Sequence, residues 1–159
     1  MNRTISVTWD DPLASQELRN KVSGLEYSRA IIEGRIPRPP MEKLLGYQLV
    51  QAEPGLAVFE CLPGEQHYNP IGVVHGGLAM TLLDSAMGCS INHRLPAGAG
   101  HATLETKVNM VRPIAAGTGL LRATGKIVHA GRRVATAEGR LEDASGKLYA
   151  HGTTTVLIF

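Results

Sequence analysis

The sequence predicts an α+β fold in which a curled antiparallel sheet of about six strands wraps around one long central helix, with an extra helical segment at the N-terminus. Residues 75–91 form an almost wholly apolar segment of helix length, interrupted by a single carboxylate, Asp84. Segments of strand type lie on both sides of it, two before and four after. A helix that is apolar nearly all round has to be buried, and the sheet is the only element that can cover it.

The strand segments are recognised by alternation and by the turn residues between them. In the last three, apolar and polar residues alternate at a period of two, which is typical of a sheet with one packed face. Many inward positions are Ala or Gly, so a helix can approach this face closely. The predicted strands are 45–52, 56–62, 102–111, 119–128, 133–143 and 147–158.

Residues 1–40 form an N-terminal extension in this prediction. Apolar residues recur at roughly helical spacing from Pro12 to about Glu33, which indicates one or two amphipathic helices. Gly34 and the Pro37–Pro40 segment end these helices and make a stiff linker. The main domain is therefore predicted to span residues 41–159.

Composition narrows the possible functions. The 159 residues suit one domain, and the formal charge of +2 comes from scattered Lys and Arg residues, so a nucleic-acid surface is not indicated. Cys61 and Cys89 form no disulfide framework, and neither the Cys nor the His residues have metal-ligand spacing. The first residues lack the apolar core of a secretory signal, and no apolar run is long enough for a membrane helix. We expect a cytoplasmic protein without a metal, a nucleic-acid partner or a membrane segment.

One segment resembles a known family. His67-Tyr-Asn-Pro-Ile-Gly-Val-Val-His-Gly-Gly77, with Asp84 nine positions after His75, is similar to the PaaI-like (phenylacetate-degradation type) acyl-CoA thioesterases, as are Val108-Asn-Met-Val-Arg-Pro113 and Gly131–Glu138. The resemblance covers about residues 41–159. It implies the hotdog fold, hydrolysis of an acyl-CoA thioester without metal or organic cofactor, and assembly as a dimer or a dimer of dimers.

The same resemblance implies roles for five residues. Asp84 corresponds to the catalytic carboxylate, acting as nucleophile or as base on water. Gly76 corresponds to the residue whose backbone N–H polarises the thioester carbonyl, with Asn69 and His75 as its positioning partners. Thr103 lies ten residues before Pro113, where some relatives have a Ser or Thr that orients water.

The chemistry of a helix start supports an oxyanion site here. The first N–H groups of a helix have no intrahelical partner and lie at the positive end of its dipole. Gly76 and Gly77 carry no side chain, so a substrate carbonyl can reach these donors. The two glycines are equally compatible with close packing of the helix start, Asn69 with an ordinary turn before Pro70, and His75 with a helix cap.

Asp84 needs compensating partners if it is buried. The hydroxyl groups of Ser85 or Thr81 could provide them, or the carboxylate could act in catalysis. Gly76 and Asp84 are eight residues apart, or about 12 Å along a helix axis, so one carbonyl cannot contact both. A site that uses both groups therefore requires a second subunit, with its central helix antiparallel to the first, in a two-fold dimer.

Coenzyme A carries several phosphates, so basic residues near the mouth of the pocket are candidates for binding it. Arg112 is one, and the turn His129-Ala-Gly-Arg-Arg133 is another source, although that turn is equally compatible with a solvated hairpin tip. The candidate substrate-binding and CoA-binding residues are Gly77, Arg112, His129, Gly131, Arg132 and Arg133.

Two other functions stay open. A hotdog hydratase or dehydratase would act on the acyl chain with a His and a differently spaced carboxylate. A non-catalytic acyl-CoA-binding regulatory protein would keep the fold without turnover, although Asp84, Asn69 and the His75-Gly-Gly segment favour an enzyme. Fold alone does not distinguish an aliphatic from an aryl acyl group.

Overall fold

Six antiparallel strands and one long helix dominate the computed structural model, which describes residues 2–159. The predicted sheet around a central helix is confirmed. The strands are β1 (Tyr47–Glu53), β2 (Leu56–Cys61), β3 (His101–Met110), β4 (Leu121–Ala130), β5 (Val134–Asp143) and β6 (Leu148–Ile158). The helices are α1 (Gln16–Lys21), α2 (Gly24–Ile32), α3 (Pro40–Leu45) and α4 (Gly76–Asn92), with 3₁₀ turns at Glu65–His67 and Ala116–Thr118.

The order of strands across the sheet is β1-β2-β4-β5-β6-β3, and every neighbouring pair is antiparallel. The β1 edge contacts α2 and α3. The β3 edge is different, because β3 is ten residues long, pairs with β6 alone and has mostly exposed side chains. One long strand edge of the sheet is therefore left open.

Helix α4 supplies the centre of the hydrophobic core. Leu82, Leu83 and Met87 are buried, and the helix contacts all six strands of the sheet. A Cβ built on Gly125 would lie 2.2 Å from the carbonyl oxygen of Ala86, so β4 and α4 touch backbone to backbone. The prediction that small inward residues allow a close helix is confirmed.

The predicted start of the first strand is wrong. Leu45 ends helix α3, and Gly46 adopts a left-handed conformation with φ of 68°, which stops the helix before β1 begins. Pro40, expected to belong to the linker, is the first residue of α3, a position where its fixed φ and missing N–H are compatible with a helix.

The N-terminal extension contains two helices where one or two were predicted, and α2 packs against β1 and α4. The Ser23 side chain accepts a hydrogen bond from the Glu26 N–H at the start of α2. Gly24 lies so close to the end of α4 that a Cβ would be 2.0 Å from the Asn92 carbonyl oxygen. The domain boundary at residues 40 and 41 stays a prediction.

None of the helices in the described part of the chain has the length and apolar character needed to cross a membrane.

Candidate active site

The start of α4 is capped by a histidine. His75 Nδ1 accepts a hydrogen bond of 2.8 Å from the Gly77 N–H, which occupies one of the two donors expected to meet a substrate. Gly76 is the first residue of the helix, and an N–H at this position has no intrahelical partner. Of the two glycine donors, the Gly76 N–H is thus the one available for a ligand.

The segment before the helix is a tight turn built around Asn69. The Asn69 side-chain oxygen accepts hydrogen bonds from the N–H groups of Ile71, at 3.1 Å, and Val73, at 3.3 Å. The His75 N–H donates to the His67 carbonyl at 2.8 Å, which holds the two ends of the turn together. Because its oxygen shapes the turn, Asn69 has only its amide N–H groups to offer to a ligand.

An open groove of about 310 Å³ lies beside Gly76. Met110 and Arg112 line it, so one of the predicted CoA-binding residues is next to the helix start. The Arg112 guanidinium donates to the Leu148 carbonyl, which holds it at the start of β6. A Cβ on Gly76 would lie 3.0 Å from the Met110 methyl group, so glycine leaves this side of the groove open. The groove is lined by Val74, Gly76, Ala79, Met110, Val111, Arg112, Pro113 and Ile114.

Asp84 is half-buried, and hydroxyl groups of β3 bind it. The Thr103 hydroxyl donates to Asp84 Oδ1 at 3.1 Å, and the Thr106 hydroxyl donates to the same oxygen at 2.9 Å. Ser85 and Thr81, the alternative partners considered from the sequence, do not bind this carboxylate. Their hydroxyls have other partners, because Thr81 donates to the Gly77 carbonyl and Ser85 pairs with the Tyr47 hydroxyl.

Sequence reasoning missed Thr106 because its spacing from Thr103 is odd. In a regular strand, side chains three residues apart are on opposite faces. The pairing of β3 with β6 shifts between Thr103 and Glu105, so that Leu104 is an extra residue, a β-bulge. The bulge brings both hydroxyls to the face that meets α4, and no local signal in the sequence indicates it.

Gly76 and Asp84 are far apart within one chain. Asp84 is not among the residues that line the groove beside Gly76, and the eight positions from Gly76 to Asp84 correspond to about 12 Å along the helix axis. The Gly76 N–H and the Asp84 carboxylate are therefore two separate places on the helix.

The turn between β4 and β5 is at the opposite end of the molecule from the helix start. Arg133, in this turn, accepts a hydrogen bond from the Ile158 N–H at the end of β6. Ile158 pairs with His101 at the start of β3. The His101 ring in turn lies beside Gly88, near the end of α4. Gly88 is about 18 Å along the helix from its first residue. Four of the predicted CoA-binding residues thus do not join Gly76 in the same chain: His129, Gly131, Arg132 and Arg133.

The two cysteines are unsuited to act as nucleophiles. Burial, reinforced by the carboxylates of Glu42 and Asp84, raises the pKa of Cys89 to about 12. Burial raises the pKa of Cys61 to about 11. Both thiols are protonated at neutral pH, and the thiolate is the reactive form.

Between residues 2 and 159, no three His, Cys, Asp or Glu side chains are grouped as a metal site would need.

Known proteins share this architecture. The thioesterase superfamily model matches residues 71–150. Acyl-coenzyme A thioesterase 13 of Homo sapiens is 31% identical over 131 residues, which are 80% of this chain and 91% of that protein. A phenylacetic acid degradation-related protein of Ralstonia eutropha JMP134 has a TM-score of 0.74 and 28% identity, over 82% of this chain and 98% of that one. The PaaI protein of E. coli, at 21% identity, has the same fold, with a TM-score of 0.74 over 86% of this chain and 93% of that one.

These matches identify the protein as a thioester hydrolase with the hotdog fold. The chain belongs to the thioesterase superfamily. The resemblance found in the sequence, the hotdog fold and the class of enzyme are thereby confirmed.

Proposed function

We propose that this protein hydrolyses the thioester of an acyl-CoA to the free acid and CoA, at two identical sites shared across a homodimer. One observation carries the shared site: Gly76 and Asp84 are about 12 Å apart on one helix, and only Gly76 lines the open groove. The acyl-CoA substrate is supported by the human relative, which is an acyl-coenzyme A thioesterase.

The helix start binds the thioester carbonyl in this proposal. Negative charge develops on the carbonyl oxygen in the transition state, and a fixed N–H at the positive end of a helix dipole stabilises it there. The Gly76 N–H is that donor, while His75 keeps the neighbouring Gly77 N–H occupied. The amide of Asn69, held by its turn, supplies a second donor to the bound substrate.

The partner subunit contributes its carboxylate to the same thioester. Asp84 either attacks the carbonyl carbon directly, forming a mixed anhydride that water then hydrolyses to the free acid and the restored carboxylate, or takes a proton from the water that attacks the carbonyl. In both cases the thiolate of CoA leaves and takes up a proton. With its Oδ1 occupied by two threonine hydroxyls, Asp84 uses Oδ2 for this chemistry.

The open edge of the sheet supports a dimer. A long edge strand with unpaired N–H and C=O groups is a template for pairing, and β3 has this character. A second copy paired at β3 in two-fold symmetry runs antiparallel to the first. This arrangement brings the two α4 helices side by side. The dimer of dimers and the cytoplasmic location stay predictions, the latter consistent with the free thiols of Cys61 and Cys89.

The activity is tested by thiol release from acyl-CoA substrates that range from short to long aliphatic chains and include an aryl-CoA. We expect release of thiol and free acid in equal amounts, and the preferred substrate defines the acyl group. Hydration of an enoyl-CoA without thiol release would favour a hydratase. Tight binding of acyl-CoA without either product would favour a regulatory protein. Each of these results would overturn the proposal.

The shared site is tested by mixing two inactive variants. Gly76→Pro lacks the amide N–H, and Asp84→Asn lacks the ionisable carboxylate. A heterodimer of these chains has one intact shared site, so random re-pairing restores about a quarter of wild-type activity. A mixture of two differently tagged Asp84→Asn chains is the control and stays inactive. Absence of recovery in a mixture with heterodimers present would show that each site lies within one chain.

A further inference from the structure

A row of oxygen atoms leads from Asp84 into the interior of the sheet. Thr106 Oγ1 lies 2.9 Å from Asp84 Oδ1 and 3.0 Å from Thr154 Oγ1. Thr154 Oγ1 lies 2.8 Å from the Glu105 carbonyl oxygen. Thr106 and Thr154 are cross-strand partners on β3 and β6, and the Thr154 side chain is fully buried. The row therefore runs from the half-exposed Asp84 carboxylate to the buried Thr154 side chain and the backbone of β3.

The direction of the hydrogen bonds follows from the chemistry of the two ends. A carboxylate only accepts, so the Thr106 hydroxyl donates to Asp84. A carbonyl also only accepts, so the Thr154 hydroxyl donates to Glu105. Both hydroxyl hydrogens are used in this way, so none is left for the 3.0 Å contact between the two threonine oxygens. The Thr106 hydroxyl is thus oriented by its bond to the charged carboxylate, and hydrogen bonds to charged groups are the stronger kind.

We propose that Thr106 is a positioning residue that holds the Asp84 carboxylate in its reactive orientation. This inference rests on the proposed function. Thr106 and Thr103 together occupy Oδ1, and no donor within residues 2–159 bonds Oδ2, which is left to face water or the thioester. The bulge at Leu104 makes the arrangement possible, because it turns both hydroxyls to the helix.

Thr106→Val removes the hydroxyl and keeps the shape of the side chain and its strand propensity. We expect kcat to fall about tenfold or more while KM changes by less than about twofold, because misplacement of a reacting group affects the chemical step. Thr106→Ser restores the hydroxyl and recovers most of kcat. Thr153→Val is the matched control, since Thr153 is exposed on the adjacent position of β6, and its kcat is unchanged.

A second measurement does not depend on turnover. Thr106→Val is made in the wild-type chain and in Asp84→Ala, and Tm values are compared at equal protein concentration. We expect the substitution to lower Tm by about 4 °C more when Asp84 is present, because only then is a bond to a carboxylate lost. Equal Tm changes, or an unchanged kcat in Thr106→Val, would overturn the inference. Absence of thiol release by the wild-type protein would instead overturn the proposed function, and the Tm comparison would still decide whether Thr106 holds Asp84.

Discussion

Gly125 of β4 lies directly against the backbone of Ala86 in α4. A Cβ on Gly125 would be 2.2 Å from both the carbonyl carbon and the carbonyl oxygen of Ala86, a distance that no side chain movement can relieve. This contact fixes how deeply α4 lies in the sheet. Asp84 is two residues earlier on the same helix, so its distance from the threonines of β3 depends on the same packing.

Gly125→Ala is therefore expected to destabilise the fold by about 3 kcal/mol, at the upper end of the usual cost of overpacking. Chemical unfolding followed by circular dichroism measures this change. Gly117→Ala is the matched control, because nothing lies within 4 Å of a Cβ at Gly117, and it should change stability by less than about 0.5 kcal/mol. Equal stability of the two variants would show that β4 and α4 can separate without cost.

Asp84→Asn is expected to lower kcat by a factor on the order of 10³ or more while the fold stays intact. An amide is neither a nucleophile nor a base at neutral pH, yet its oxygen can still accept hydrogen bonds from Thr103 and Thr106. Thiol-release kinetics and circular dichroism test both parts. Ser85→Ala, at the next position of α4, should retain kcat within a few-fold. Near-normal hydrolysis by Asp84→Asn would remove this carboxylate from the mechanism.

Gly76→Pro removes the proposed oxyanion donor without breaking the helix. Proline is favoured at the first helical position, and His75, with φ of −61° and ψ of 134°, already has the extended conformation that a following proline requires. We expect kcat to fall about 10²-fold to 10³-fold. Gly76→Ala adds the same Cβ beside the Met110 methyl group and keeps the N–H. An equal loss in both variants would assign the effect to steric hindrance.

Glu42 makes stability depend on pH. Burial raises the pKa of this α3 carboxyl to about 7, opposed in part by the Leu49 N–H and by Arg38. The folded chain then holds the proton more tightly than the unfolded chain, whose ordinary value is 4.5. The contribution of Glu42 to the free energy of unfolding is thus constant below about pH 4.5, falls as pH rises to about 7, and stays lower above that, by about 3 kcal/mol.

Glu42→Gln is expected to remove this fall, because its side chain does not ionise. Urea unfolding of both chains between pH 5 and pH 8 measures the effect. Glu138→Gln, at an exposed position of β5, is the control and should keep the wild-type dependence on pH. A fall of the wild-type size in Glu42→Gln would assign the pH dependence to another group.

Much of the fold could be predicted because its signals are local. The alternation along β4 and β5 depends on which face of a strand is buried, and it is visible in residues such as Ala123 and Ala137. The helix at α4 follows from an apolar segment that nothing but a sheet could cover. Helix α3 was missed because six residues are too few to show a helical period, and the left-handed Gly46 decides where it ends.

Some residues of the candidate site could be predicted from the sequence and others could not. Gly76, His75 and Asp84 could be identified as candidates because their motif resembles that of the thioesterases, and helix geometry converts the spacing of Gly76 and Asp84 into a distance. The partners of Asp84 could not, since the bulge at Leu104 depends on how β3 pairs with β6. The same holds for the turn from His129 to Arg133, which the register of β5, β6 and β3 puts at the far end of the sheet from Gly76.

The sequence by itself thus determined the sheet around a helix and the family. It also determined that Gly76 and Asp84 are separated by about 12 Å along one helix, so that a site using both groups needs two subunits. Only the tertiary structure decided that Thr103 and Thr106 both bind Asp84 and that Ser85 and Thr81 do not. The physical reason is the register of the strands. One extra residue in a strand reverses the face of every side chain that follows, and register is set by pairing between segments distant in the chain.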